Sequence, residues 1–165
     1  MKKSLFFALS LGALMLISSC RRENDNGQLS GLAAFLNGRF EVTQADYNGN
    51  LSTVLGQTPL SGTGENTEGF YNFQAANGKV NYEVNSTMNL QIFGQNIPFP
   101  IEVLGTGDIT YVSETRFTID DPRYGLMTYD VNDRTNNSLV ASTRYQTDTL
   151  SATIDLTLDI YLSKQ

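Results

Sequence analysis

Histidine and tryptophan are absent from this chain of 165 residues, and cysteine occurs once. Without histidine, Ser-His-Asp and Cys-His catalysis fall away, as do ordinary zinc sites and haem ligation by histidine. A lone cysteine cannot build a disulfide framework. The lack of tryptophan removes the preferred platform for stacking on sugar rings, although eight tyrosines offer a substitute. Basic residues are scarce, 11 against 17 acidic ones, for a net charge of −6. An acidic surface repels nucleic acid and anionic lipid, so neither is an expected partner. Carboxylates, tyrosines, lysines and hydroxyls remain for chemistry, and no spacing converges two of them. The chain reads as a non-enzyme without cofactor or metal.

What is present begins with "MKKSLFFALSLGALMLISSC". Lys2 and Lys3 form a positive n-region, and Leu5 to Ile17 is an apolar run broken only by small residues and serine. Such a segment is too short to span a bilayer comfortably and too apolar on every face for a surface helix of a domain. Residues 1–19 read as a secretory signal. Cys20 directly follows Ser18 and Ser19 and resembles the cysteine of the bacterial lipobox. That resemblance implies that Cys20 opens the mature chain and carries lipid on its sulfur, giving a membrane partner through the N-terminus. Residues 20–30, with the polar run "RRENDNGQLS", read as the lipidated cysteine and a flexible tether. Without Lys2 and Lys3, nine basic residues face 17 acidic ones, a net charge of about −8. Surface-exported lipoproteins of Bacteroidota-type Gram-negatives carry an acidic run after the cysteine, whereas Arg21 and Arg22 come first here. The expected location is therefore the outer membrane, periplasmic face before cell surface.

Residues 31–165 form one domain with enough chain for a core. In "LSATIDLTLDIYL" (150–162), Leu150, Ala152, Ile154, Leu156, Leu158, Ile160 and Leu162 share one face, and polar residues and Tyr161 share the other. Period two of this kind is a strand with one buried face. A second runs from Lys79, with Val80, Tyr82, Val84, Met88, Leu90 and Ile92 on one side. Asn-Gly in "YNGN" (47–50) and "ANGK" (76–79) predicts hairpin turns, as do "FGQN" (93–96), "DDPRYG" (120–125) and "NDRTNN" (132–137). The expected strands are 38–47, 51–60, 68–75, 79–93, 97–105, 109–119, 124–131, 138–146 and 149–163. Their order predicts an all-β antiparallel meander of about eight or nine strands, curled or closed into a barrel. One short helix is expected in "SGLAAFLNG", capped by Ser30, stopped by Gly38, with Leu32, Phe35 and Leu36 on one side. Pro98 and Pro100 remove two N–H groups from the same edge of one strand, which predicts a seam beside residues 97–101.

Three motifs reduce to structure. "GTGENTEG" (62–69) lacks the Gly-Lys-Ser/Thr ending of a phosphate loop and reads as an inter-strand loop. Asp120 and Asp121 are neighbours on a strand, so they point to opposite faces, and Pro122 makes a turn after them. "DVNDRTNN" (130–137) lacks the glycine and terminal glutamate of a calcium loop and reads as a solvated hairpin.

The short helix leading into "NGRF" (37–40), the meander and the long amphipathic last strand resemble a lipocalin-like lipoprotein of the Bacteroidota type. Gly38-Arg39-Phe40 stands where lipocalins carry Gly-X-Trp. The resemblance implies a cup closed at one end by Phe40 and the 31–36 helix. Phe40, Val42, Tyr82, Val84, Met88, Leu90 and Leu156 are then candidate lining residues for a small apolar or amphiphilic ligand. The alternative is a filled barrel that docks on another envelope protein through a surface or sheet edge. Asp148-Thr149-Leu150 also resembles the acceptor motif of Bacteroidota-type O-glycosylation, which marks Thr149.

Overall fold

Period-two alternation, clearest in Lys79–Ile92 and Ala152–Lys164, forces a sheet with one apolar side, and that side closes on itself. The computed structural model describes residues 31–92, 94–148 and 152–165. The expected signal segment (1–19), Cys20, the expected tether, the expected Ser30 cap and Thr149 lie outside the described residues. The elements are α1 (Gly31–Leu36), β1 (Gly38–Thr53), β2 (Gly56–Thr63), β3 (Glu65–Gln74), β4 (Lys79–Ile92) and β5 (Gln95–Ser113), followed by β6 (Arg116–Asp121), β7 (Gly125–Arg134), β8 (Ser138–Asp148) and β9 (Ala152–Lys164). The expected all-β antiparallel meander of about eight or nine strands with one short helix forms, with nine strands among the described residues.

All nine strands belong to one sheet, and β1 pairs with β9 to close the ring. The opening of β1, residues 38–41, pairs with β3, and its second half, residues 46–53, pairs with β2. β2 and β3 are thus two parts of a single wall, so the ring is an eight-walled up-and-down barrel. They are separated at Gly64, whose N–H donates to the Ala45 carbonyl at 2.7 Å. The stretch expected as a loop at 62–69 is therefore strand on either side of a bulge. The register change falls between Glu65 and Glu68, where Asn66 adopts a left-handed φ of 52°.

Two other expectations fail for related reasons. The Asn-Gly at 48–49 lies inside β1, and the turn falls at Val54-Leu55. Gly49 serves close strand packing, since a Cβ there would lie 2.0 Å from the Asp155 carbonyl oxygen of β9. The break expected at 106–108 is absent because β5 runs through Gly105 and Gly107. Inward side chains cover both glycines, and added Cβ atoms would meet Tyr82 Oη at 2.7 Å and Ile119 Cγ2 at 2.5 Å.

The base of the barrel is filled by aromatic rings. Phe117 stacks on Tyr129 at 4.9 Å, Tyr71 stacks on Tyr82 and Phe73, and Phe40 meets Phe73 edge-on. α1 seals this end with buried Leu32 and Leu36. Lys164 Nζ donates to the Phe35 carbonyl at 2.9 Å, satisfying one terminal carbonyl of the helix. Each such fully buried side chain contributes about 1.5–3 kcal/mol of apolar transfer.

The wall is incomplete higher up. β4 pairs with β5 from Gln95 to Asp108, but β6 pairs only with residues 108–113 of β5. The β6–β7 hairpin stops at Asp121–Gly125, and β8 beyond Thr143 pairs only with β9 among the described residues. A gap therefore separates the upper reaches of β5 and β8. Ile109 N–H donates to Gly78 O, on the β4 side, whereas Leu104 O accepts from Arg123 Nη1 on the other. Even-numbered residues of β5 thus direct their backbone groups to the gap. Pro98 and Pro100 sit on this free edge, where their missing N–H groups cost no ladder bond.

Candidate functional site

The upper lumen holds a cavity of about 50 Å³. Its apolar lining includes Val84 and Met88 of β4, Ile101 and Val103 of β5, and Met127 of β7. Ile101 and Val103 stand on one lip of the gap, Thr143 and Tyr145 on the other, and Met127 at its foot. The cavity therefore faces the broken wall. Leu51, Leu60, Leu90, Ile154 and Leu156 pack above it as buried core. Ligand pockets for drug-sized molecules run to roughly 300–1,000 Å³, so the lumen is largely filled by its own side chains.

The polar groups here are few. Tyr47 Oη donates to the Asn89 carbonyl at 2.9 Å, and Ser86 Oγ is bonded to Thr67 Oγ1 at 2.8 Å. The Tyr71 and Tyr129 hydroxyls face each other at 3.4 Å. Burial pushes the Tyr129 phenol up to about 12 and Tyr71 well above its ordinary value. Both are neutral hydroxyls at any physiological pH. Thr143 Oγ1 is buried with no hydrogen-bond partner among the described residues.

Of the seven candidate lining residues, Val84 and Met88 border this cavity. Phe40, Val42, Leu90 and Leu156 are buried in the packed core without bordering it. Tyr82 instead borders a second, shallower groove of about 420 Å³ on the outside of β3, β4 and β5. Its ring lies inside the wall, over Gly105, where the buried hydroxyl donates to Asp121 Oδ2 at 2.8 Å. Burial first, and then this bond to the carboxylate, raise the Tyr82 phenol above its usual range. Asp121 Oδ1 also accepts the Arg123 N–H at 2.7 Å and the Tyr124 N–H at 3.4 Å. A carboxylate engaged on both oxygens holds the β6–β7 turn. Asp120 is exposed, on the opposite face as expected.

Sequence reasoning missed Ile101, Val103, Met127, Thr143 and Tyr145. The inward series Leu139, Ala141, Thr143 was legible as alternation in "SLVASTRYQ", but Val140 blurs it. The short reach of β6 and β7, which exposes these residues to a gap, left no local signal. No group of histidine, cysteine, aspartate or glutamate able to hold a metal occurs among the described residues. In "NDRTNN", Asp133 Oδ1 accepts the Arg134 N–H at 2.8 Å and Thr135 bonds Ser138 across the turn, as in a solvated hairpin.

A closed antiparallel barrel with a small apolar lumen and a lateral gap is the class that this fold and site define. No protein-family model matches the chain, and no curated protein matches it. Among solved structures it is similar to EF1p2_mFAP2b bound to DFHBI, at 17% identity over 84% of this chain and 100% of that one, TM-score 0.45. It is also similar to bovine odorant-binding protein in complex with a selenium-containing odorant (14% identity, 79% and 73% covered, TM-score 0.40). A third is the bovine lipocalin allergen Bos d 2 (11% identity, 81% and 75% covered, TM-score 0.38). Likenesses of this size carry no argument about activity, and the barrel stands on its own strand order and register.

Proposed function

We propose that the chain is a non-catalytic envelope lipoprotein, anchored by lipid at Cys20, whose barrel takes a small apolar or amphiphilic ligand. The carrying observation is the apolar lumen of Val84, Met88, Ile101, Val103 and Met127 facing a break in the wall. Methionine thioethers repack readily, so a volume of about 50 Å³ is a resting size that Met88 and Met127 can enlarge. Periplasmic-face anchoring at the outer membrane and a sugar on Thr149 belong to the same reading. Native mass spectrometry of protein extracted from its own envelope, set beside a Cys20-truncated form made elsewhere, tests all of it. Support is a reproducible ligand mass lost on denaturation, a lipid mass that Cys20→Ala removes and a sugar mass that Thr149→Ala removes. Ligand-free mass in both samples overturns the ligand reading.

A second reading is favoured by the small size of that same cavity: a filled barrel that docks on another envelope protein. Its free edge is poorly suited to strand addition, because Pro98 and Pro100 offer no N–H there. The outer groove beside Leu104 and Arg123 is the better docking surface.

A further inference from the structure

We propose that Thr143 is the polar anchor of the lumen and selects compact, neutral apolar molecules carrying one hydroxyl or carbonyl group. The proposal rests on the reading of the barrel as a ligand-binding module. Thr143 sits on the inner face of β8, opposite Tyr129 on one side and Leu158 on the other. Its side chain is more than nine-tenths buried, at 8% exposure, and borders the cavity. A buried hydroxyl without a partner is destabilising, and a ligand oxygen in the cavity relieves that cost. The neighbouring hydroxyls of Ser86, Tyr47, Tyr71 and Tyr129 are already bonded to protein groups. Of the buried hydroxyls that border the cavity, Thr143 is the one without a partner among the described residues, and a hydroxyl both donates and accepts, so it serves an alcohol, a phenol or a ketone equally.

The surrounding charges exclude an ionised ligand. Asp46 and Arg144 border the cavity through their strands, but alternation turns both side chains outward. Asp46 is held by Gln44, Thr63 and Tyr161, and Arg144 by Asp155. Asp121, turned inward from β6, does not border the cavity and is held by the Tyr82 hydroxyl and the Arg123 and Tyr124 N–H groups. No other charged side chain is turned toward the cavity among the described residues, so a carboxylate there would be desolvated without a partner.

Phenol, benzene and benzoate share one ring and separate these effects. Each is titrated by calorimetry into the purified full-length protein and its Thr143→Val and Thr143→Ser variants. Phenol should bind roughly three- to tenfold more weakly to Thr143→Val, the worth of one hydrogen bond. Benzene should be unchanged, Thr143→Ser should retain phenol, and benzoate should not bind. Valine removes an unpaired hydroxyl at equal size, so the unfolding midpoint of Thr143→Val should hold or rise. A lower midpoint would show the hydroxyl already partnered and overturn the anchor. Phenol binding that is indifferent to the substitution overturns the anchor while leaving ligand binding intact, and benzoate binding overturns the selectivity for neutral molecules. Failure of both phenol and benzene to bind overturns the ligand-binding reading along with it.

Discussion

Gly105 shows how a single residue is fixed by what lies over it. A strand glycine is entropically unfavourable, yet a Cβ here would lie 2.1 Å from Asp121 Oδ2 and 2.7 Å from Tyr82 Oη. The missing side chain makes room for the buried Tyr82–Asp121 hydrogen bond. Gly105→Ala should therefore destabilise the protein despite better strand propensity, by about 2–4 kcal/mol, more than Tyr82→Phe at about 1–3 kcal/mol. Urea unfolding of the two variants checks the order. Asp46 acts at the same scale through charge. Partial burial pushes its carboxyl up, but bonds from Thr63, Gln44 and Tyr161 outweigh this and leave it below its ordinary value. A carboxylate depressed in the folded state stabilises above its unfolded value and loses that contribution as pH falls through the folded one. Asp46→Asn should therefore flatten the acid limb below about pH 4 and change little of the pH dependence near neutrality. Stability followed by circular dichroism from pH 7 to pH 2 gives the comparison.

The strand edge of β5 is the element whose behaviour is least ordinary. Odd-numbered residues bond to β4, while even-numbered ones face the gap. Amide exchange should alternate: slow at Ile101, Val103 and Gly105, fast at Glu102, Leu104 and Thr106. Uniformly slow exchange along this stretch, read by NMR, would mean that the wall is closed there. The prolines blunt this edge, so replacing both Pro98 and Pro100 with threonine should leave the monomer folded but promote self-association, visible by light scattering. That edge was legible from proline spacing alone, because a missing N–H is a property of the residue itself. β4 and β9 were legible for a similar reason, their alternation running from Val80 to Leu90 with Ser86 as its one polar inward residue, and unbroken from Ile154 to Leu162. β1 was not. Its bulge at Val42–Gln44 shifts the buried series from Phe40 and Val42 to Ala45 and Tyr47, and the sequence period is lost. The Asn-Gly of β1 and the Gly-Thr-Gly of β5 mimic turns. Their glycines are set by atoms from strands far away in sequence, which no local pattern encodes. The site suffered most, since Ile101, Val103, Met127, Thr143 and Tyr145 lie outside β4 and β9, the two strands whose alternation is readable.

At the scale of the whole barrel, closure and capacity oppose one another. The β1–β9 pairing spans Phe40↔Lys164 to Thr53↔Ala152, joining the two ends of the domain along nearly the full length of β1. Such a ring draws its stability from a continuous core, and every side chain that fills the lumen removes room for a ligand. Met88 lies at the balance point: it is 2% exposed and borders the cavity of about 50 Å³. Met88→Ala should destabilise by about 2–5 kcal/mol through lost packing and the void left behind. The same void, beside apolar Val84 and Ile101, should bind benzene more tightly than the wild type does. Ligand present in excess then returns stability in proportion to its occupancy, so the thermal midpoint of Met88→Ala should rise with benzene concentration more steeply than that of the wild type. A variant that loses stability but gains no benzene-dependent shift would mean that the walls collapse into the space. The barrel would then be a packed body, and its function would lie on its outer surface.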